Sequence, residues 1–413
     1  MAGDLNITVS EPVTLQTSEE APLEMPLLFQ MPNGDVLCQT SLTGDREFAK
    51  EYAGLLRSVD RGRSWKPEPH PLENAAWCID FQPGGDTVIL MDYRCVLVKG
   101  SSPRRWLFRF VESTDGGGSF GPVQFGEADY PLAAGTSLGV MHDRCAKDRI
   151  WDGRGLSRYR DVFQAAGWDP DHWREITVSG FTPSMYAKAQ LADGSWLGLR
   201  DAAMGGRDDE ALPWGTVGLV TRDGGRSWTY RSTCFQMTPA RSELAGFMEP
   251  ALIRLDNGLL YCILRTGGGP SCPMVHSWSS DEGESWQPPT SFHYVGIAPC
   301  LVKLKNGVLA ATWGRPGRWV MFDPTGTGLG WLRDRRVSLT AGEQLTLQTN
   351  ARAKYERLDI PRWSQPFVSW DMPSMIEVEP NVLLAAYDQQ NFIETPGAPP
   401  KRAIRLVRIG CER

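Results

Sequence analysis

The chain is 413 residues long, with 43 Lys and Arg against 49 Asp and Glu, a formal net charge of −6, 16 Trp and 43 Gly. That balance offers no basic stripe to a nucleic acid, and no apolar run is long enough to span a membrane, so neither partner is expected. Nine Cys without CxxC pairs and five His without ligand spacing point to no metal and no cofactor; an N-terminus lacking a charged and apolar leader reads as cytoplasmic, or as a secreted chain already trimmed.

From the N-terminus the chain reads as a succession of apolar hairpins, each folded about a polar two-residue turn. Asn6 to Leu15 is a lone opening strand. Met25 to Thr40 folds about Asn33-Gly34, and Trp77 to Tyr93, the least regular, about Gly84-Gly85. From about 130 to 181 the pattern lapses: Ser157 to Ala166 suits a helix, and Gly167-Trp168-Asp169-Pro170-Asp171 is rich in turn formers. The hairpins resume with Met185 to Arg200 about Asp193-Gly194, then Glu249 to Arg265 about Asn257-Gly258, the clearest of the set. Ala298 to Trp313 about Asn306-Gly307 and Met372 to Asp388 about Pro380-Asn381 complete it.

A second pattern, Ser/Thr-x-Asp-x-Gly-x-Ser-aromatic, follows four of the hairpins at Ser58 to Trp65, Ser113 to Phe120, Thr221 to Trp228 and Ser279 to Trp286. Its Asp accepts backbone N–H groups across a tight turn, its Gly supplies a positive φ, and its aromatic packs back between strands. The aspartates at 60, 115, 223 and 281 are 55, 108 and 58 residues apart, the middle step being two units. A period near 50 residues with a hairpin signature is that of four-stranded propeller blades. Asp323 to Trp331 reads as a degraded copy.

The expected fold is therefore all-β: one domain over 1–413, a six-bladed β-propeller of four-stranded antiparallel blades near 20–70, 72–128, 182–235, 247–293, 296–345 and 368–413. The stretch from about 130 to 181 is an insertion between blades 2 and 3 that overhangs one face; a degenerate seventh blade is the alternative. The opening strand is expected to complete the outer edge of the sixth blade, which removes a bare sheet edge.

The repeated turn resembles the Asp box of the sialidase superfamily, where such turns lie on the periphery; here too they are read as folding elements. In a blade, the start of the first strand and the end of the second share one face near the axis, where functional side chains collect. The starts are Glu24, Met185, Glu249, Ala298 and Met372; the ends include Asp92, Tyr93, Arg94, Arg200, Asp201, Arg265, Arg315, Tyr387 and Asp388.

The resemblance implies roles for some of these. Glu249 and Arg265 match the family's Glu and Arg of the central blade. Pro316-Gly317-Arg318 matches a Pro-containing loop that carries a substrate-binding Arg, with Arg315 as the fallback. Asp45, 13 residues before Ser58, matches the acid/base Asp by position. The family's Arg-Ile-Pro stands here as Glu24-Met25-Pro26, and Met372 or Pro373 stands where the family has a nucleophilic Tyr.

An acid in place of an arginine suits a neutral sugar better than an acidic one. The expected catalytic set is Glu249, Asp45 and Glu24, with Arg265, Arg318, Arg315, Asp92, Tyr93 and Arg94 binding substrate. The expected activity is an exo-acting glycoside hydrolase on a carbohydrate substrate, with paired carboxylates in the funnel. A true exo-α-sialidase and a non-catalytic carbohydrate-binding propeller are the alternatives.

Overall fold

The computed structural model describes residues 5–19, 23–41, 52–72, 78–102, 105–129, 160–176, 178–180, 187–203, 214–236, 246–266, 273–314, 317–339, 372–395, 397–399 and 401–413. Two strands, β1 (Asn6–Val9) and β2 (Val13–Ser18), open the chain. The first blade follows as β3 (Glu24–Gln30), β4 (Val36–Ser41), β5 (Tyr52–Ser58) and β6 (Lys66–Glu68), paired in that order. The second is β7 (Cys78–Gly84), β8 (Thr87–Leu97), β9 (Arg105–Ser113) and β10 (Gln124–Asp129).

A short helix α1 (Arg160–Ala165), a 3-10 segment Pro170–Glu175 and β11 (Val178–Gly180) lie between the second and third blades. The third blade is β12 (Lys188–Gln190), β13 (Trp196–Ala203), β14 (Trp214–Thr221) and β15 (Ser227–Phe235). The fourth is β16 (Met248–Arg254), β17 (Leu260–Arg265), β18 (Val275–Ser279) and β19 (Thr290–Ser291). The fifth is β20 (Ile297–Lys303), β21 (Leu309–Gly314), β22 (Arg318–Asp323) and β23 (Val337–Ser338).

The sixth is β24 (Ser374–Glu379), β25 (Val382–Phe392) and β26 (Lys401–Glu412), and both β1 and β2 pair antiparallel with β26. The opening segment is thus two strands rather than one, with Pro12 between them, where no ladder N–H is available. Parallel pairing of β10 with β15 also fuses the outer edges of the second and third blades into one sheet.

The core sits between blades. Because strand side chains alternate faces, each inner hairpin feeds two apolar clusters. Leu37 packs toward the second blade, whereas Val36 and Cys38 pack toward the sixth. Leu383 and Ala385 face the fifth blade, and Leu384 and Ala386 face the first. One such cluster lies at each junction between neighbouring blades, including the sixth with the first.

The four repeated turns share one geometry. In the fourth, Ser279 Oγ donates to Asp281 Oδ1 (2.7 Å) and accepts from Gly283 N (2.9 Å), while Asp281 takes Ser285 N (2.9 Å) and Ser285 Oγ (2.5 Å). The same hydroxyl donors, Ser64 and Ser119 foremost, hold Asp60 and Asp115 well below the usual carboxylate range. In the fifth blade, Asp323 stands where the other turns have Ser or Thr, and its Oδ2 accepts from Gly328 N (2.7 Å). The degraded copy therefore keeps the bond and exchanges the acceptor.

Each turn glycine also abuts the preceding blade. A Cβ there would meet Leu384 at 2.5 Å from Gly62, Met31 at 2.6 Å from Gly117, Phe81 at 2.4 Å from Gly225, and Leu197 at 2.6 Å from Gly283. The turns are thus fasteners around the ring, each seated on its neighbour.

The expected helix at Ser157 to Ala166 is described as the shorter α1. Val162, Phe163 and Ala166 pack on Val96 and Leu107, and Trp168 Nε1 donates to Leu97 O (2.5 Å). The β8–β9 pair that carries them runs past the end of the second blade, so this part of the insertion stands on the face where second strands end.

Candidate active site

Three inner strands begin alike. Met25, Glu249 and Ala298 each precede a proline, each has a left-handed φ (52°, 46° and 45°), and each lies in a register shift at the strand start. An L-residue before proline is ordinarily extended, so this bulge is strained, and its recurrence in three blades makes it a property of the scaffold. It also resets the alignment. Glu24 pairs with Ser41 as Met248 pairs with Arg265, so Met25, not Glu24, occupies the place that Glu249 holds in its own blade.

Glu249 is the best-placed functional group. Its Oε1 accepts from Arg265 Nη1 (2.6 Å), and its Oε2 accepts from the backbone N–H of Ala298 in the next blade (2.8 Å). The side chains keep 26% (Glu249) and 21% (Arg265) of their surface exposed, at the end of β16 opposite the Asn257-Gly258 turn. A carboxylate has about four lone-pair sites; two are filled here, and the remainder faces open surface. The pair therefore combines a preorganised anion with a planar donor.

The other expected residues fall into separate environments. Glu24 is fully buried, 1% exposed, and so is set behind the surface rather than on it. Asp92, Tyr93 and Arg94 form a bulge in β8, inserted between Met91 and Cys95 opposite Arg109. Asp92 is buried and paired with Arg109 Nη2 (2.5 Å), which also reaches Asp161 of α1 (3.5 Å). Tyr93 packs between the first and third blades' clusters with the second. Arg318 is buried with its guanidinium 5.1 Å from the Tyr387 ring centroid. Asp45 and Arg315 lie outside the described residues, as does the side chain of Arg94.

Two features went unseen in the sequence reading, and a third, Asp388, was named there only as a strand end. The Ala298 N–H that Glu249 accepts is freed by the bulge, and the recurring X-Pro pairs Met25-Pro26, Glu249-Pro250 and Ala298-Pro299 were its signal. The Asp92–Arg109 ion pair joins residues 17 apart in sequence across the β8–β9 ladder and had none. Counted from the proline, Asp388, buried at the end of the inner part of β25, holds the place of Arg265. Among the described residues no cluster of His, Cys, Asp and Glu suits a metal ion.

No protein-family model and no curated protein matches the chain by sequence. Solved structures do match it in fold. A Dyadobacter fermentans protein of unknown function superposes with a TM-score of 0.63 at 14% identity, over 98% of this chain and 99% of that one. A Hadza microbial sialidase gives 0.51 at 10% identity over 94% of this chain and 66% of that one. A Penicillium chrysogenum α-L-arabinanase complexed with arabinobiose gives 0.50 at 14%, over 97% and 98%. The chain has the sialidase-like β-propeller fold that sialidases and arabinanases share.

Proposed function

We propose that this protein is a glycoside hydrolase that removes a terminal neutral sugar at the rim of its propeller channel. The observation that carries the reading is the half-buried Glu249–Arg265 pair at the rim end of the fourth blade's inner hairpin. Glu249 acts as base or nucleophile at the anomeric centre, Arg265 orients it and binds sugar hydroxyls, and Asp45 donates the proton to the leaving oxygen. Glu24, being buried, supports the first blade's rim from behind.

A neutral substrate is favoured by how the described arginines are engaged. Arg265 is paired with Glu249, Arg109 with Asp92, and Arg318 is buried against Tyr387. An acidic sugar would call for uncommitted cations on that rim. Fold likeness extends to a sialidase and to an arabinanase holding arabinobiose, an uncharged disaccharide, so it accommodates either sugar class.

The test is a panel of aryl glycosides that includes α-L-arabinofuranosides and a sialoside. Turnover of a neutral glycoside is the expected result, and Glu249→Gln is expected to lower it about 10²-fold or more while leaving the melting temperature within a few degrees. Hydrolysis of the sialoside alone would convert the reading to a sialidase. Sugar binding without turnover would make the rim a carbohydrate-recognition site.

A further inference from the structure

The channel has a second mouth. On the face opposite Glu249, where the inner hairpins turn, a cavity of about 810 Å³ is lined by all six inner strands. Its charged groups divide unequally. The acids are occupied: Asp80 by Lys188, Glu377 by the backbone N–H groups of Lys305 and Asn381, and Glu379 by Arg63 and Arg408. Lys303, also in the lining, is taken by Asp256 (2.6 Å). Two lining cations, Arg61 and Lys305, have no acceptor for their side chains among the described residues. The lining as a whole carries four cations against three acids.

The backbone gives an independent sign. Arg61 sits in the first repeated turn at φ 62°, a left-handed conformation that favours glycine. The equivalent positions of the next two turns are Gly116 and Gly224. The fourth has Glu282 at φ 59°, whose carboxylate binds Arg254 (2.8 Å) and accepts from Ala192 N (2.9 Å). Those contacts offset its strain. Arg61 bears the same strain, and its guanidinium makes no compensating contact within the described chain. Strain retained at one position of a repeated element, at an exposed residue that lines a cavity, points to a ligand outside the chain.

We infer that the turn-face mouth of the channel is a second binding site, for a small solute bearing an oxyanion group held between Arg61 and Lys305. A guanidinium presents a planar fork to phosphate or carboxylate oxygens, and an ammonium adds a compact charge. The volume is that of a pocket for a small molecule rather than a polymer, and the site is separated from the Glu249 rim by the length of the inner strands.

The experiment is thermal denaturation of the full chain titrated with inorganic phosphate and, separately, with citrate, at constant ionic strength set by chloride. The expected result is a saturable rise in melting temperature with at least one probe; response to phosphate alone or to citrate alone identifies the anion class. Arg61→Gly fits the left-handed turn without strain, so it should fold and yet bind about tenfold more weakly, the loss of one charge-assisted contact. Lys305→Gln, on an exposed turn, should weaken binding in the same way, and Glu249→Gln should bind as the wild type does. No saturable response to either probe, wild-type affinity in both mouth variants, or loss of binding in Glu249→Gln would each overturn the inference.

Discussion

His276 shows how a single buried side chain sets a response to acid. The Tyr261 hydroxyl accepts from Trp331 Nε1 (3.1 Å), and an indole only donates, so the phenolic proton is free to go to His276 Nδ1, 2.9 Å away. That bond needs Nδ1 unprotonated. Burial pushes His276 down to about 4, and burial does the same to His70, against an ordinary value of about 6.5. Between those values an unfolded chain binds protons that the folded chain refuses. Stability is therefore expected to be flat above about pH 7 and to fall steadily as the pH drops from about 6.5 to about 4. Melting temperature followed from pH 8 to pH 4 checks this, and His276→Gln should make the acid slope shallower. A variant with the wild-type slope would place the sensitivity elsewhere.

At the scale of elements, the repeated turns were legible because everything that makes them is local: a Ser or Thr, an Asp two residues on, a Gly, a Ser and an aromatic. Their docking on the preceding blade was not, since the residue each glycine meets is distant in sequence. Gly225 and Gly194 separate the two contributions. Both have left-handed φ, 95° and 84°, but a Cβ on Gly225 would lie 2.4 Å from the buried Phe81 ring, whereas one on Gly194 meets nothing within 4 Å. Gly194→Ala is expected to cost about 1–2 kcal/mol from backbone strain. Gly225→Ala adds overpacking against a core that cannot yield, for a total of about 2–4 kcal/mol. Urea midpoints at constant m-value measure both. Equal costs would mean that the turn does not fasten one blade to the next.

For the whole molecule, the sequence pattern revealed the hairpins and their spacing, yet misjudged the rim by one residue in the first blade. The X-Pro bulge is common to the blades and so preserves the count: Met25, Glu249 and Ala298 each lie eight residues before the Asn of the Asn-Gly turn, in agreement with the geometry, and it was the carboxylate of Glu24 that misled. Closure of the ring was easier to anticipate, because a long apolar last strand needs a cover.

That cover is the first segment of the chain. β1 pairs with Ile409 to Glu412 and β2 with Arg402 to Leu406, and Leu5 is buried in the cluster between the fifth and sixth blades. Arg335 Nη2 holds Leu5 O (2.8 Å), and Arg405 Nη2 holds Pro12 O (2.8 Å), so the segment is fixed at several points. A variant lacking residues 1–19 would expose one edge of β26, a strand of 12 residues. Bare edges of that length template pairing with another chain. The expected outcome is a lower melting temperature together with self-association in sedimentation velocity, both relieved when a peptide of residues 5–19 is added in excess. A truncated chain that stays monomeric at the full-length melting temperature would mean that the interblade cluster between the sixth and first blades suffices to close the ring.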